Sequence, residues 1–156
     1  MIIYEIPGRE NIQIDNVVFD YNGTIAVDGK LIEGIGELFE ELERYANIYI
    51  LTADTYGTVV EECRNIPGKV LTFPGENAGE SKRNIIKKLG SNKTLVVGNG
   101  FNDILMFEEG VLSIAIMEGE GTSGKLLYHA DIVSRNIIEA INIILNKNKV
   151  KATLRN

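Results

Sequence analysis

Val17-Val18-Phe19-Asp20-Tyr21-Asn22-Gly23-Thr24-Ile25 is the stretch on which the reading of this chain turns. A β-branched apolar run delivers a carboxylate at its C-terminal end. Asn, Gly and Thr then turn the backbone sharply, and apolar residues resume. An aspartate placed there suits attack on phosphorus: it is ionised at neutral pH, it forms a high-energy acyl phosphate, and the following loop can offer backbone N–H groups to phosphate oxygens. The same pattern suits an Asp that merely caps a strand-to-loop turn. The rest of the chain decides between the two.

Its 156 residues predict one domain, 1–156, long enough to bury a substantial core. A content of 44% hydrophobic and 24% charged residues is that of a globular protein rather than a disordered or fibrous one. The net charge of -6 argues against a nucleic-acid partner, which demands a basic face. Lys147, Lys149, Lys151 and Arg155 form a local basic tail, expected to be a frayed, solvated end. The single cysteine, Cys63, excludes an internal disulfide and suits a reducing compartment. No apolar run approaches membrane-spanning length and the N-terminus lacks a signal-peptide pattern, so a cytoplasmic location without membrane contact is expected.

Outward from Asp20, short apolar runs alternate with helix-period segments, which predicts an α/β fold: a three-layer, doubly wound parallel sheet with helices on both faces. Ile2–Ile6 and Ile12–Ile14 around Pro7-Gly8 read as an opening hairpin, and Asp28-Gly29 as the turn of a small hairpin overhanging the site. Ile35, Leu38, Phe39, Leu42 and Tyr45 fall at helical spacing. Ile48–Leu51 reads as a second core strand, then a helix through Val59, Val60 and Cys63, stopped by Pro67-Gly68. Val70-Leu71 is a third strand, and Ile85, Ile86 and Leu89 mark a helix closed by Gly90. Leu95–Val97 is a fourth strand, Ile104 and Leu105 lie in a helix, and Ile114–Ile116 is a fifth strand. The last helix carries Ile137, Ile138, Ile141, Ile144 and Leu145.

Four segments together resemble the haloacid dehalogenase (HAD) superfamily. Asp20-Tyr21-Asn22-Gly23-Thr24 is similar to its first motif, Leu51-Thr52-Ala53-Asp54 to its second, Lys82, expected to open a helix after Gly79-Glu80-Ser81, to its lysine, and Gly98-Asn99-Gly100-Phe101-Asn102-Asp103 to its acidic fourth motif. Within the superfamily the chain resembles the phosphorylation domain of P-type ATPases. Thr52-Ala53-Asp54-Thr55, Glu118-Gly119-Glu120-Gly121-Thr122 and Ala130-Asp131-Ile132-Val133 carry that likeness, which spans about Val17 to Val133. Only 27 residues separate Thr24 from Thr52, so no nucleotide-binding domain is inserted between the first two motifs. The resemblance is to a soluble, capless P-type ATPase-like hydrolase.

The resemblance implies strand order 3-2-1-4-5 without a cap, Asp20 as nucleophile, Thr52 as a hydroxyl for a phosphate oxygen, and Lys82 as the neutralising cation. Gly23, Thr52, Ala53 and Lys82 are then expected to bind phosphate, and Asp20, Asn22 (through its backbone carbonyl), Asn99 and Asp103 to surround a magnesium ion. Elementary chemistry agrees. Ligands of open parallel sheets bind beyond the carboxyl ends of the strands. A phosphoryl group needs positive charge around its equatorial oxygens, and magnesium takes one or two carboxylates plus water and phosphate oxygens.

Two positions depart from the pattern. Asn22 stands where hydrolytic members of the superfamily carry a second, proton-transferring Asp, and Asn99 stands where the ATPases have Asp. The chain therefore reads as a slow, magnesium-dependent phosphohydrolase working through an aspartyl-phosphate on Asp20. The alternative is a non-hydrolytic phosphate-binding or phospho-acceptor module. The substrate is a phosphorylated compound of unspecified identity, and an open site leaves room for a homo-oligomer in which a neighbouring subunit serves as the lid.

Other candidates read as structural. Gly119–Lys125 matches the start of a phosphate-binding P-loop, but Leu126 stands where magnesium needs Ser or Thr. His129 is expected to pack or cap, Cys63 to fill core, Lys87 and Lys88 to be solvated, and Asp54 and Asn102 to cap the helices that follow them, Asn102 alternatively supporting Asp103.

Overall fold

The computed structural model describes residues 1–156. Its centre is a six-stranded, wholly parallel sheet. Strand β3 (Asn16–Asp20) lies between β6 (Asn47–Thr52) and β8 (Thr94–Gly98), with β7 (Lys69–Thr72) beyond β6. On the other side β9 (Leu112–Ile116) and then β10 (Ile132–Ser134) follow β8. In the order the strands enter the sheet this is 3-2-1-4-5, as expected, with a sixth strand at the edge. Ile132–Ser134 was too short to announce itself; it joins by pairing with Ile114–Ile116.

Alternation along the strands sorts two cores. Val17 and Phe19 face the larger one, under α1 (Ile35–Leu42) and α6 (Ile137–Leu145), where the Phe19 and Phe39 rings meet at 4.8 Å. Val18 faces the other, under α3 (Ala78–Leu89) and α4 (Ile104–Glu109), with Ile86, Met106 and Phe107. Two-sided burial explains why β3 and β8 are continuous apolar runs rather than alternating ones. Asp20 shares the face of Val18, so its carboxylate emerges on the α3 side.

Smaller elements decorate this frame. The opening hairpin is β1 (Ile2–Tyr4) with β2 (Ile12–Ile14). The second is β4 (Ala26–Val27) with β5 (Lys30–Leu31), turned by Asp28 and Gly29, both at positive φ. Helix α2 (Thr58–Glu62) buries Val59 and leaves Val60 half exposed, with Cys63 in the larger core as expected. Burial pushes the Cys63 thiol up to about 11, so it stays protonated.

Three expectations need correction. Helix α1 stops at Leu42, so Tyr45 lies in the turn into β6 and is half exposed. The C-terminal basic segment is not frayed: Lys147–Leu154 is helix α7, its start capped by Asn146, which accepts from the Asn148 and Lys149 amides, and its Val150 fully buried. Finally, Lys82 does not open α3; the helix begins at Ala78, so Lys82 falls in its second turn and points inward. No helix is long and apolar enough to cross a membrane.

Candidate active site

The register of the parallel sheet places Asp20 beside Leu51 and Phe19 beside Val97, so the ends of β3, β6 and β8 open at one edge. There a cavity of about 220 Å³ is lined by Asp20, Asn22, Thr52, Ala53, Lys82 and Asn99, together with Tyr21, Leu51, Phe73, Ala78, Gly100 and Asn102. Seven of the eight sequence-predicted site residues thus converge on one cavity or, in the case of Asp103, directly beneath it.

Lys82 is the hub. Its ammonium donates to Asp20 Oδ1 at 2.9 Å, Asp103 Oδ1 at 2.6 Å and Asn102 Oδ1 at 2.9 Å, using all three N–H groups. The residue is 1% exposed. Burial alone would lower its pKa, but the two carboxylates outweigh that and hold it raised, so Lys82 is a fixed cation. Asp20 sits on the other side of the balance. Burial and then the Asp103 charge lift its carboxyl, Lys82 opposes them, and the result stands at about 7.

Asp103 is anchored at every oxygen. Oδ1 takes the Lys82 ammonium, and Oδ2 accepts from the Asn99 amide at 3.0 Å and the Gly100 amide at 2.9 Å, which tightens the 3₁₀ turn over Phe101–Asp103. A Cβ on Gly98 would come within 2.5 Å of Asp103 Oδ2, so this approach requires glycine. Asn102, expected to cap its helix or to support Asp103, turns its carbonyl oxygen to Lys82, the same ammonium that Asp103 holds. The sequence carried a trace of this, since Asn102 precedes Asp103 in a turn tight enough for both to face one cation.

Asn99 is buried, and its amide is committed away from the carboxylates. Nδ2 donates to the Gly121 carbonyl at 2.9 Å and Oδ1 accepts from the Thr24 hydroxyl at 3.3 Å. Gly23 lies over that amide. Expected to offer its N–H to phosphate, it donates it to the Ala26 carbonyl at 2.8 Å, and its contribution is a φ of +75°. Thr52 Oγ1 accepts from the Asp54 amide, which leaves the hydroxyl proton for another acceptor. Asp54 itself caps the start of α2, accepting from the Tyr56 and Val59 amides as expected. Asn22 is exposed at the mouth, and the Tyr21 hydroxyl ties this loop to the second hairpin through the Gly29 carbonyl.

Asp20 and Asn22 both line the cavity, and a carboxylate with neutral amide oxygens is the kind of donor set a hard divalent cation takes when phosphate oxygens and water complete it. The residues therefore fit magnesium, with Asp20 as the one carboxylate not fully occupied by protein donors.

The other candidates are structural. Helix α5 (Gly124–Leu127), after the P-loop-like stretch, is a single turn, and the Ser123 amide donates to the Asn99 carbonyl. His129 pairs with Glu108 at 3.3 Å at the surface. Ser113 and Asp131 bond each other beside it but meet only the His129 backbone carbonyl, so no nucleophilic triad forms.

A family model described as haloacid dehalogenase-like hydrolase matches residues 4–110. An uncharacterized protein of Methanocaldococcus jannaschii is 38% identical over 71 residues, covering 45% of this chain and 76% of its own. A soluble P-type ATPase-like phosphatase of the same organism is 27% identical over 135 residues, covering 83% of this chain; the match spans only 49% of that protein. Among solved structures, 3-deoxy-D-manno-octulosonate 8-phosphate phosphatase from Moraxella catarrhalis, in complex with magnesium, phosphate and KDO, superposes with a TM-score of 0.71. It covers 89% of this chain and 90% of its own at 14% identity, a likeness of fold.

Proposed function

This chain belongs to the haloacid dehalogenase-like hydrolase family, and we propose that it is a magnesium-dependent phosphohydrolase acting through an aspartyl-phosphate on Asp20. The observation that carries this reading is the Asp20–Lys82–Asp103 cluster: a carboxylate at the end of the central strand, held by a buried cation that is itself anchored from beneath. A phosphatase relative and a phosphatase fold neighbour with bound magnesium support the same chemistry.

An oxygen of Asp20 attacks phosphorus, an Asp20–phosphorus bond forms, and the bond from phosphorus to the leaving oxygen breaks. Oδ1 is held by Lys82, so orientation of the carboxylate is fixed before substrate arrives. The Thr52 hydroxyl donates to an equatorial oxygen, and Lys82 keeps a positive charge beside the developing negative one. Asp20 and the Asn22 carbonyl would hold magnesium, which supplies Lewis-acid charge neutralisation. Water then attacks the acyl phosphate, the Asp20–phosphorus bond breaks, the proton of that water passes to solvent, and phosphate leaves. Asn22 cannot take the proton from that water, so this second step is slow. The buried, protonated Cys63 suits a reducing, cytoplasmic compartment.

The Asn22 amide also favours a second reading, a phospho-acceptor module in which Asp20 is phosphorylated and the acyl phosphate persists. Turnover of p-nitrophenyl phosphate with and without magnesium separates the two. Magnesium-dependent release of nitrophenolate in many turnovers supports hydrolysis, whereas a single stoichiometric burst supports the module. Activity retained by Asp20→Asn overturns both.

A further inference from the structure

We propose that in this site the divalent cation and the phosphoryl group bind as a pair, each completing the other's site, because Asn99 is a brace rather than a ligand. The inference rests on the phosphohydrolase reading and specifies how its site is assembled.

Most of the donors around the site are already spent. Both Asp103 oxygens are taken, one by the Lys82 ammonium and one by two backbone amides, and its side chain is fully buried. Releasing it would leave two amides and half of a buried ion pair without partners. Asn99 is spent too. Its Nδ2 holds the Gly121 carbonyl, its Oδ1 holds the Thr24 hydroxyl, and the Gly23 backbone closes over it so tightly that a Cβ there would lie 2.3 Å from Nδ2. Asn99 thus joins the nucleophile loop to the loop over Met117–Ser123.

What remains for a cation is one Asp20 oxygen and the neutral oxygens of Asn22 at the mouth of the cavity. Magnesium dehydrates reluctantly and needs more anionic oxygen than that to be held against water. A phosphoryl group brings it. The need runs the other way as well. All three Lys82 N–H groups have acceptors in the protein, so a phosphate dianion beside Asp20 meets a carboxylate whose cation is already shared. Each ligand supplies the charge the other lacks, and linkage makes the gain equal in both directions.

Calorimetric titration tests this without turnover. Magnesium chloride is titrated into the wild-type protein alone and with saturating orthophosphate, and orthophosphate is titrated with and without magnesium. The expected result is weak binding of either alone and a reciprocal tightening, roughly 5–150-fold, when both are present. Asn99→Asp adds a carboxylate, so magnesium should bind that variant alone and the coupling factor should fall towards one. In the metal-free state the same change should also lower the melting temperature, because a carboxylate oxygen then faces the Gly121 carbonyl. Magnesium and orthophosphate that each bind wild type with no mutual effect overturn the pairing while leaving the phosphohydrolase reading intact. If neither binds in any combination up to millimolar concentration, both fall.

Discussion

The side-chain amide of Asn99 lies directly against the backbone of Gly23: a Cβ built there would meet Nδ2 at 2.3 Å, at a φ of +75°. The turn after Asp20 therefore needs glycine twice, for conformation and for space. Gly29 provides the control, with a φ of +78° and nothing within 4 Å of its notional Cβ. Gly29→Ala should cost only the conformational penalty, about 1–2 kcal/mol. Gly23→Ala should cost clearly more and weaken orthophosphate binding, since Asn99 must move. Equal losses for the two variants in urea denaturation would show that the contact has no energetic consequence.

A second expectation concerns Lys82. Replacing it with Met keeps much of the apolar stem but leaves Asp20 and Asp103 buried without their cation. Loss of one partner from a buried ion pair costs about 3–5 kcal/mol. The loss should shrink at pH 5, where the raised Asp20 carboxyl is protonated and the repulsion is relieved. Denaturation midpoints at pH 5 and 8 check this; a pH-independent loss below about 1 kcal/mol contradicts it.

The raised Asp20 carboxyl gives the metal-free protein a signed pH dependence. Its folded value of about 7 lies above the ordinary 3.8, so between those values the native state binds more protons than the unfolded chain. The stabilisation from that extra proton is complete below about pH 4 and is lost as pH rises through 7. Metal-free wild type should therefore melt at a falling temperature from pH 5 to 8 in the part due to this group. Asp20→Asn, which retains an oxygen for Lys82 and has nothing to titrate, should flatten that slope while abolishing turnover. Parallel pH profiles for the two proteins would refute the assignment.

Much of this was legible in the sequence, and the rest was hidden for identifiable reasons. The β-branched run ending at Asp20, Thr52 after Ile50-Leu51 and the Gly98–Asp103 stretch place themselves, because strand ends of a parallel sheet share an edge. Direction was not legible. Asn99 and Asp103 were read as neighbours of the metal from their position, but which donors saturate them depends on Thr24, Gly121 and Lys82, up to 75 residues away. Of the two roles open to Asn102, a local cap or support of Asp103, the choice depends on an ammonium 20 residues away. Helix α7 was missed because its charged residues suggested solvation, whereas one buried Val150 and the Asn146 cap are enough to dock it. Ile132–Ser134 is a strand only because β9 offers it an edge.

The last expectation concerns Asn22. It lines the mouth of the cavity, is exposed, and lies two residues beyond Asp20. Hydrolysis of an aspartyl-phosphate requires water to lose a proton as it attacks, and a positioned carboxylate contributes roughly 10²–10⁴-fold to such a step. An amide contributes none of this, so dephosphorylation should limit turnover and phosphoenzyme should accumulate on wild type. Asn22→Asp should raise the steady-state rate and lower the trapped fraction together. If Asn22 serves only to stabilise the turn, the added carboxylate instead sets a second negative charge near Asp20 and raises KM without raising kcat. Acid-quench trapping from a labelled phosphate donor, run on both proteins alongside steady-state kinetics, separates these outcomes. Wild type that traps no phosphoenzyme, together with an Asn22→Asp variant that hydrolyses no faster, would remove general-base deficiency as the reason for slow turnover.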